Sequence, residues 1–454
     1  METKKHLLSK STFMLGCQCP KLLYLHKFKP ELRNPDEEEQ ASIFSSGTNV
    51  GLIARELFPG GVNAEPPDSF SYHLSVELTQ KYLQDGAIII YEACFNYNGV
   101  LCAIDILVKE QNRWYAYEVK GSTKVKEQFI LDAAFQYHVI TQSGIVLEDI
   151  SIVYLNNQYV KQGEIDVQKL FIKESVLNKA LEQQSFIKEN IAQFKTLITS
   201  RKEPVVEVGE QCNKPYECDF TNYCWANIKE DANEESSREA FINNEYLKEF
   251  ISAFKYPLLF FDLETLMLAI PEFQESRPYQ QIPFQYSLHT QRSKNSLLEH
   301  TAFLGDGITD PREPLIKQLL VELGTEGSVI VWNQTFEISR LKEIARDFPK
   351  YEIEVNKIIE RIVDLMIPFR KNQYYHPDFN ESYSIKKVLP VLVPELSYNE
   401  FVIQDGTSAS STYAELKNQE AEIQMQQRKQ LLEYCNLDTL AMVRIMENIK
   451  SIIK

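Results

Sequence analysis

The sequence predicts an α/β protein built from two successive domains. Three observations carry that expectation. Strand-like apolar alternation interleaves with helical periodicity from end to end. A polar, acidic stretch interrupts this rhythm at residues 226–250, and 454 residues suffice for two separate cores. The boundaries follow: a first domain over 1–230, a linker over 231–250 and a second domain over 251–454.

The first domain opens with a helical pattern around KLLYLHKF and an acidic loop, NPDEEEQ. Further helices are expected over SGTNVGLIARELF and near LSVELTQKYLQ. Three strands come next, in AIIIYEACFNYNG, VLCAIDILVKE and RWYAYEVKGS. Asn98–Gly99 and Gln111–Asn112 supply the hairpin turns between them. The helix QFILDAAFQYHVITQSG and the strand ISIVYLN follow, a helix–meander–helix–strand order with mixed pairing. The second domain begins at the buried strand YPLLFFDLE. Later, VIVWNQTFEISRLKEIA runs from strand into helix, and LLEYCNLDTLAMVRI reads as a helix near the end. No repeat of 20–50 residues and no low-complexity tract interrupts this order.

Composition narrows the function classes. No stretch approaches the roughly 20 apolar residues that span a bilayer. The first residues have neither the long apolar core nor the small-residue cleavage site of a signal peptide, so a cytoplasmic protein is expected. The net charge of −16 opposes a broad nucleic-acid coat, and neither half is basic, at roughly −6 and roughly −10. A local basic groove on an acidic body stays compatible with it. Eight cysteines in such a chain point to metal ligands or core residues rather than disulfides.

Three constellations carry chemistry. In the first, Glu118 and Lys120 stand two apart on a strand and share a face, and Asp105 reaches the same surface across the hairpin. Two carboxylates there would hold Mg²⁺ or Mn²⁺, with Lys120 orienting water or steadying the transition state. A solvated charged strand face is the plain alternative. The order of elements, with Gln136-Tyr137 on the following helix, resembles the RecB-like branch of the PD-(D/E)XK nucleases. The resemblance implies a restriction-endonuclease-like core and gives Gln136 a contact with substrate or with the metal-site water. The branch's histidine ligand has no counterpart here: Gly51 stands about where it belongs, leaving Glu56 or Glu92 as substitutes.

In the second, GEQCNKPYECDFTNYCW spaces Cys212, Cys218 and Cys224, with Cys19 far upstream. Four thiolates suit a tetrahedral zinc or an iron–sulfur cluster. One distant cysteine plus three near the domain's end resembles the iron–sulfur staple of AddB-type and CRISPR-associated RecB-like exonucleases. The resemblance implies a [4Fe–4S] cluster on Cys19, Cys212, Cys218 and Cys224. Cys19 is preferred to Cys17 because a proline follows it. Cys94, Cys102 and Cys435 sit among apolar neighbours and read as core.

In the third, FFDLET is a strand ending in Asp262 and Glu264, which point the same way. Asn333 marks a turn before a helix whose first turn carries Glu337. Tyr434 and Asp438, four apart, lie on one helix face. The order D-x-E, N-x-x-F-acid, Y-x-x-x-D resembles the DEDD exonucleases of ribonuclease-H-like fold, in the subclass with a tyrosine. The resemblance implies that Asp262, Glu264, Glu337 and Asp438 hold two Mg²⁺ or Mn²⁺ ions. It gives Glu337 the place of the usual aspartate, has Tyr434 orient the attacking water, and places Asp364 near the site without holding the ions.

Tyr374, Tyr375, His376, Tyr383, Lys386 and Lys387 cluster in one stretch, either a guide for a single strand or a tyrosine-rich loop packed on the core. The whole chain is also similar to an uncharacterised bacterial family joining these two domains. The expectation is a metal-dependent nuclease with two centres, acting on nucleic acid: single-stranded DNA foremost, RNA as an alternative. The rivals are a nucleic-acid-binding scaffold with a dead N-terminal centre and a zinc-stapled adaptor.

Overall fold

The computed structural model describes residues 7–34, 50–68, 71–226, 239–398 and 401–453. They form mixed α/β structure in two units, Met1–Glu235 and Ser236–Lys454. Among the described residues, no helix is long and apolar enough to cross a membrane.

The first unit is organised by a seven-stranded sheet. Its strands are β1 (Leu8–Ser9), β2 (Val62–Asn63), β3 (Ile89–Tyr97), β4 (Val100–Glu110), β5 (Arg113–Lys120), β6 (Leu147–Leu155) and β7 (Phe171–Ser175). They lie in the order β2-β3-β4-β5-β6-β7, with β1 parallel to the start of β4. β3, β4 and β5 form the meander read from the sequence, and β6 returns parallel to β5. Both meander turns place their central residues in the left-handed region: Asn98 and Gly99 at φ 50° and 77°, Gln111 and Asn112 at 48° and 65°. Such turns match the twist of the strands they join, which fixes the register of Asp105 against the strand carrying Glu118.

The helix Glu127–Gln142 crosses between β5 and β6, burying Ile130, Ala133, Ala134, Val139 and Ile140 against the sheet. Phe135 on this helix meets Phe13 at a ring-centroid distance of 4.5 Å, and Phe13 in turn meets Phe194 at 5.6 Å. That contact sets the short helix Lys10–Gln18 against the core. Gly16 is required there, since a Cβ would stand 2.7 Å from the Phe194 ring. The acidic loop from residue 35 and the first residues of the helix expected over 46–58 lie outside the described residues; 50–54 are helical and run into a 3-10 turn, Arg55–Leu57.

The second unit has a five-stranded sheet: β9 (Leu258–Met267), β10 (Gln281–Gln291), β11 (Leu298–Leu304), β12 (Ser328–Val331) and β13 (Ile362–Asp364). The order is β11-β10-β9-β12-β13; β10 is antiparallel to β9 and β11, while β12 is parallel to β9 and β13. β8 (Phe241–Ile242) and β14 (Tyr374–Tyr375) pair separately. The helix Ala421–Ile452 buries Leu431, Tyr434, Ala441, Met442, Ile445 and Ile449, the spacing of a face three to four residues apart.

Two expectations are corrected. The stretch 231–250 is not a linker throughout: β8 and the helix Asn244–Ser252 lie at its end, with Leu247 fully buried and Tyr246, Phe250 and Ile251 packed on the core. Polar flanks hid that apolar face, whose spacing is helical and whose start is capped by the Asn243 side chain. Residues 227–238 lie outside the described residues. Nor does the strand end at Asp262 and Glu264: β9 runs on to Met267 because β10 pairs past them across an irregularity between Pro283 and Gln285. Such interruptions re-aim side chains without ending a sheet.

Candidate functional site

In the second unit, Asp262 and Glu264 project from one face of β9, the central strand. Glu337 lies in the first turn of the helix Gln334–Asp347, behind Asn333 at φ 75°, where the helix dipole favours a carboxylate. Tyr434, Cys435 and Asp438 come from one side of the helix Ala421–Ile452. All six converge. The donor atoms of Asp262, Glu264 and Cys435 lie within 4.8 Å of one another, the one such ligand group among the described residues. Cys435 Sγ stands 3.8 Å from Asp262 Oδ2.

The electrostatics are those of crowded like charges. Burial, then Asp438, raises Asp262 well above the usual carboxylate range. Burial, then Asp262 and Asp438, does the same for Glu264, and burial with Asp262 for Glu337. Asp438 is pushed up to about 6 by burial, against hydrogen bonds from Tyr398 and Tyr434 and the charge of Lys386. Glu337 is 2% exposed and its Oε2 has no hydrogen-bond partner among the described residues. Gly406 lies against Glu264, where a Cβ would come within 3.4 Å of Oε2. Buried carboxylates that repel one another, one of them with an unpartnered oxygen, suit a divalent cation.

Tyr398, which the sequence did not single out, and Lys386, from the tyrosine-rich stretch, complete the site. Tyr398 donates a 2.6 Å hydrogen bond to Asp438 Oδ1. Lys386 Nζ sits 5.6 Å from the Tyr434 ring and 5.7 Å from that of Tyr398. Nothing local signals Tyr398, but Cys435, three residues before Asp438, shares its helix face and was legible. Read as a core residue, it is fully buried yet touches Asp262. Asp364 accepts from the backbone of Asn333 at 3.0 Å and of Met366 at 2.9 Å, so it braces the turn before Glu337. The tyrosine-rich stretch mostly packs inward: Tyr374 and Tyr375 are buried, and the Tyr383 carbonyl accepts from Trp332.

In the first unit, Asp105, Glu118, Lys120 and Gln136 also converge. Glu118 Oε1 accepts from Lys120 Nζ at 2.8 Å and from Lys10 Nζ at 2.6 Å, while Oε2 accepts from Gln136 Nε2 at 2.5 Å. Lys120 reaches Asp132 at 2.5 Å, and Asp105 Oδ2 accepts from the Val119 amide. Burial alone would raise Glu118, but Lys10 and Lys120 hold it down to about 2. Asp105 is raised by burial, then by Glu118 and Glu92. Gln136 is fully buried, and its Nε2 donates to Glu118 and to the Ala103 carbonyl.

Of the two substitutes for the missing histidine, Glu56 is exposed. Glu92 faces Asp105 electrostatically, is bound by Arg55 at 2.9 Å and has φ 54° within a strand, a strained setting for a side-chain-bearing residue. A cleft of about 400 Å³, lined by Glu65, Asp68, Tyr72, Glu92 and Ala103, adjoins it. Lys10 could not be found from sequence, being 108 residues from Glu118; Asp132, one helical turn before Gln136, could. Because two ammonium groups already match Glu118, this donor set fits a metal less well than that of the second unit.

The four expected cysteine ligands are neighbours. Cys19, Cys212 and Cys224 act electrostatically on Cys218, and Cys19 and Cys212 on Cys224. Cys19 joins the helices Lys10–Gln18 and Pro20–Phe28, and the Cys218 amide donates to the Cys212 carbonyl at 2.8 Å. Cys17 is set apart, packed on the main core, with burial pushing its thiol up to about 12.

Comparison with known proteins places this architecture beside others. Residues 259–384, from β9 past Glu337 and Asp364, match the model of a domain of unknown function (DUF2779). The chain is 30% identical over 220 residues to "Uncharacterized protein UU173" of Ureaplasma parvum, covering 43% of this chain and 31% of that one. It is 31% identical over 215 residues to "Uncharacterized protein MG366 homolog" of Mycoplasma pneumoniae, covering 43% and 32%. The matched region thus spans about a third of the length of each of these relatives.

Proposed function

We propose that this chain is a metal-dependent nuclease whose C-terminal unit removes nucleotides from the 3′ end of single-stranded nucleic acid, in the manner of DEDD exonucleases of ribonuclease-H-like fold. The observation that carries this is the convergence of Asp262, Glu264, Glu337 and Asp438, from three elements, into one buried site with Tyr434 among them. The strand order β11-β10-β9-β12-β13, three antiparallel strands continued by two parallel ones, supports the ribonuclease-H-like assignment. Asp262, Glu264, Glu337 and Asp438 would hold Mg²⁺ or Mn²⁺, which when bound supplies charge neutralisation and an activated water.

The chain's own groups do the rest. Burial and the surrounding carboxylates raise the Tyr434 phenol far above neutrality, so it keeps its proton and orients a water by hydrogen bonding. Tyr398 fixes Asp438 in one rotamer. Lys386 brings a positive charge toward a site otherwise hostile to a phosphate.

For the N-terminal unit, the antiparallel β3-β4-β5 meander, the helix after it and the meeting of Asp105, Glu118 and Lys120 support a RecB-like PD-(D/E)XK core. The lysine match at Glu118 favours a second reading there, binding without cutting. The neighbouring thiols of Cys19, Cys212, Cys218 and Cys224 support a [4Fe–4S] staple.

The test is a time course on end-labelled single-stranded DNA and RNA with Mg²⁺ or Mn²⁺. Wild type is compared with Asp262→Ala, Lys120→Ala and the double variant. Laddering from the 3′ end that survives Lys120→Ala and vanishes in Asp262→Ala is the expected result. Residual cutting in Asp262→Ala that requires Lys120 would establish a second active centre. Absence of metal-dependent cleavage in every form would overturn the enzyme reading.

A further inference from the structure

We infer that Cys435 is a metal ligand, making the position beside Asp262 and Glu264 a mixed oxygen–sulfur site that prefers a thiophilic divalent ion to Mg²⁺. The inference rests on the C-terminal metal reading and goes beyond it by naming the class of ion. Its first support is geometric. Cys435 Sγ and the carboxylate oxygens of Asp262 and Glu264 lie within 4.8 Å of one another. Donors bound to one ion at about 2.0–2.3 Å are separated by roughly 3.3–3.8 Å, so a small contraction would close the set.

The second support is the company the thiol keeps. A structural cysteine is ordinarily surrounded by carbon. Cys435 is fully buried, yet the charges acting on it are Asp262, Glu264 and Asp438, and its one hydrogen-bond acceptor is Asp262 Oδ2. Independently, Glu337 Oε2 is buried without a partner among the described residues, with Asp262 as the strongest charge upon it. A cation among these groups answers both anomalies at once.

Chemical class follows from the donor set. Mg²⁺ takes oxygen ligands in near-ideal octahedral geometry and gains little from sulfur. Thiolate favours zinc and its neighbours in the first transition row, and Cd²⁺ among probe ions. Binding converts the Cys435 thiol to a thiolate: the sulfur–hydrogen bond breaks, a sulfur–metal bond forms, and one proton leaves to solvent. No oxidant or reductant takes part.

The experiment is ¹¹³Cd²⁺ NMR on the full chain, beside Cys435→Ser and Asp262→Asn, with circular dichroism confirming that each variant is folded. All-sulfur sites resonate far from mixed and all-oxygen sites, so Cd²⁺ taken up by any N-terminal thiols that lack the proposed cluster is read separately. The expected result is a mixed oxygen–sulfur resonance that moves to the all-oxygen range in Cys435→Ser and disappears in Asp262→Asn. Alongside it, Cys435→Ser lowers the ratio of cleavage rates with Co²⁺ and Mg²⁺. An all-oxygen resonance unmoved by Cys435→Ser but lost in Asp262→Asn would overturn the sulfur ligand while leaving the carboxylate metal site standing. No resonance beyond that of the N-terminal thiols would overturn both.

Discussion

At the residue scale, the buried acids of the C-terminal unit oppose folding in the metal-free chain. Asp262 and Glu264 are acids crowded beside other carboxylates, each raised well above the usual carboxylate range, and residues selected for packing would not be placed so. Asp262→Asn is therefore expected to stabilise the metal-free chain by about 1–2 kcal/mol, read as a higher thermal midpoint in EDTA, while abolishing metal-dependent 3′ cleavage. A melt that falls instead would mark Asp262 as structural.

Asp438 sets a pH dependence of definite sign. Its folded pKa of about 6 lies above the unfolded value near 3.9, so the folded chain binds the extra proton between them. Its contribution to metal-free stability is full below about pH 4 and is lost as pH rises through about 6. Protons compete with the ion, so stabilisation by Mn²⁺ should run the other way, full above about pH 6 and fading below it. Melts from about pH 5 to about pH 8, with EDTA or with Mn²⁺, should show opposite slopes; parallel slopes would sink the assignment.

At the element scale, the helix Lys10–Gln18 joins two clusters. Its first residue sends an ammonium to Glu118, and Cys19 follows its last. Lys10→Met leaves Glu118 with Lys120 alone and is expected to cost the N-terminal unit about 2–3 kcal/mol by chemical denaturation. A cost under about 0.5 kcal/mol, the range of exposed pairs, would show that the contact carries no structural weight. Legibility also divides at this scale. Asp262 with Glu264, Tyr434 with Asp438, and Glu118 with Lys120 were readable because each pair sits in one regular element whose period puts both residues on one face. Lys10 and Tyr398 were not, since each meets its partner only through the packing of distant segments. The helix Asn244–Ser252 was missed because the surrounding acidic stretch outweighed its apolar face.

At the scale of the whole molecule, the two units have separate hydrophobic cores, one around Phe13, Phe135 and Phe194, the other around β9 and the helix Ala421–Ile452. Each should unfold as its own cooperative step. Calorimetry is expected to resolve two transitions, with Mn²⁺ raising only the C-terminal one and Cys218→Ser lowering only the N-terminal one. One transition moved by both treatments would show that the units fold as one. The Cys218→Ser shift should be several degrees if the proposed cluster is present, because it would close a loop of about 200 residues from Cys19 to Cys224 in the unfolded chain.

The sequence by itself determined the mixed α/β class, the meander with its two left-handed turns, and which acids stand in pairs. These follow from local rules: side chains repeat every two residues in a strand and every three to four in a helix, and positive φ has few tolerant residues. Only the tertiary structure decided the partners of those pairs. It brought Lys10 onto Glu118, turned Gln136 inward onto the same carboxylate, set Glu92 toward Asp105 while leaving Glu56 exposed, and put the Cys435 thiol beside Asp262. Each of those contacts joins different elements, and no local periodicity encodes which side chains a folded core will bring within a few ångströms.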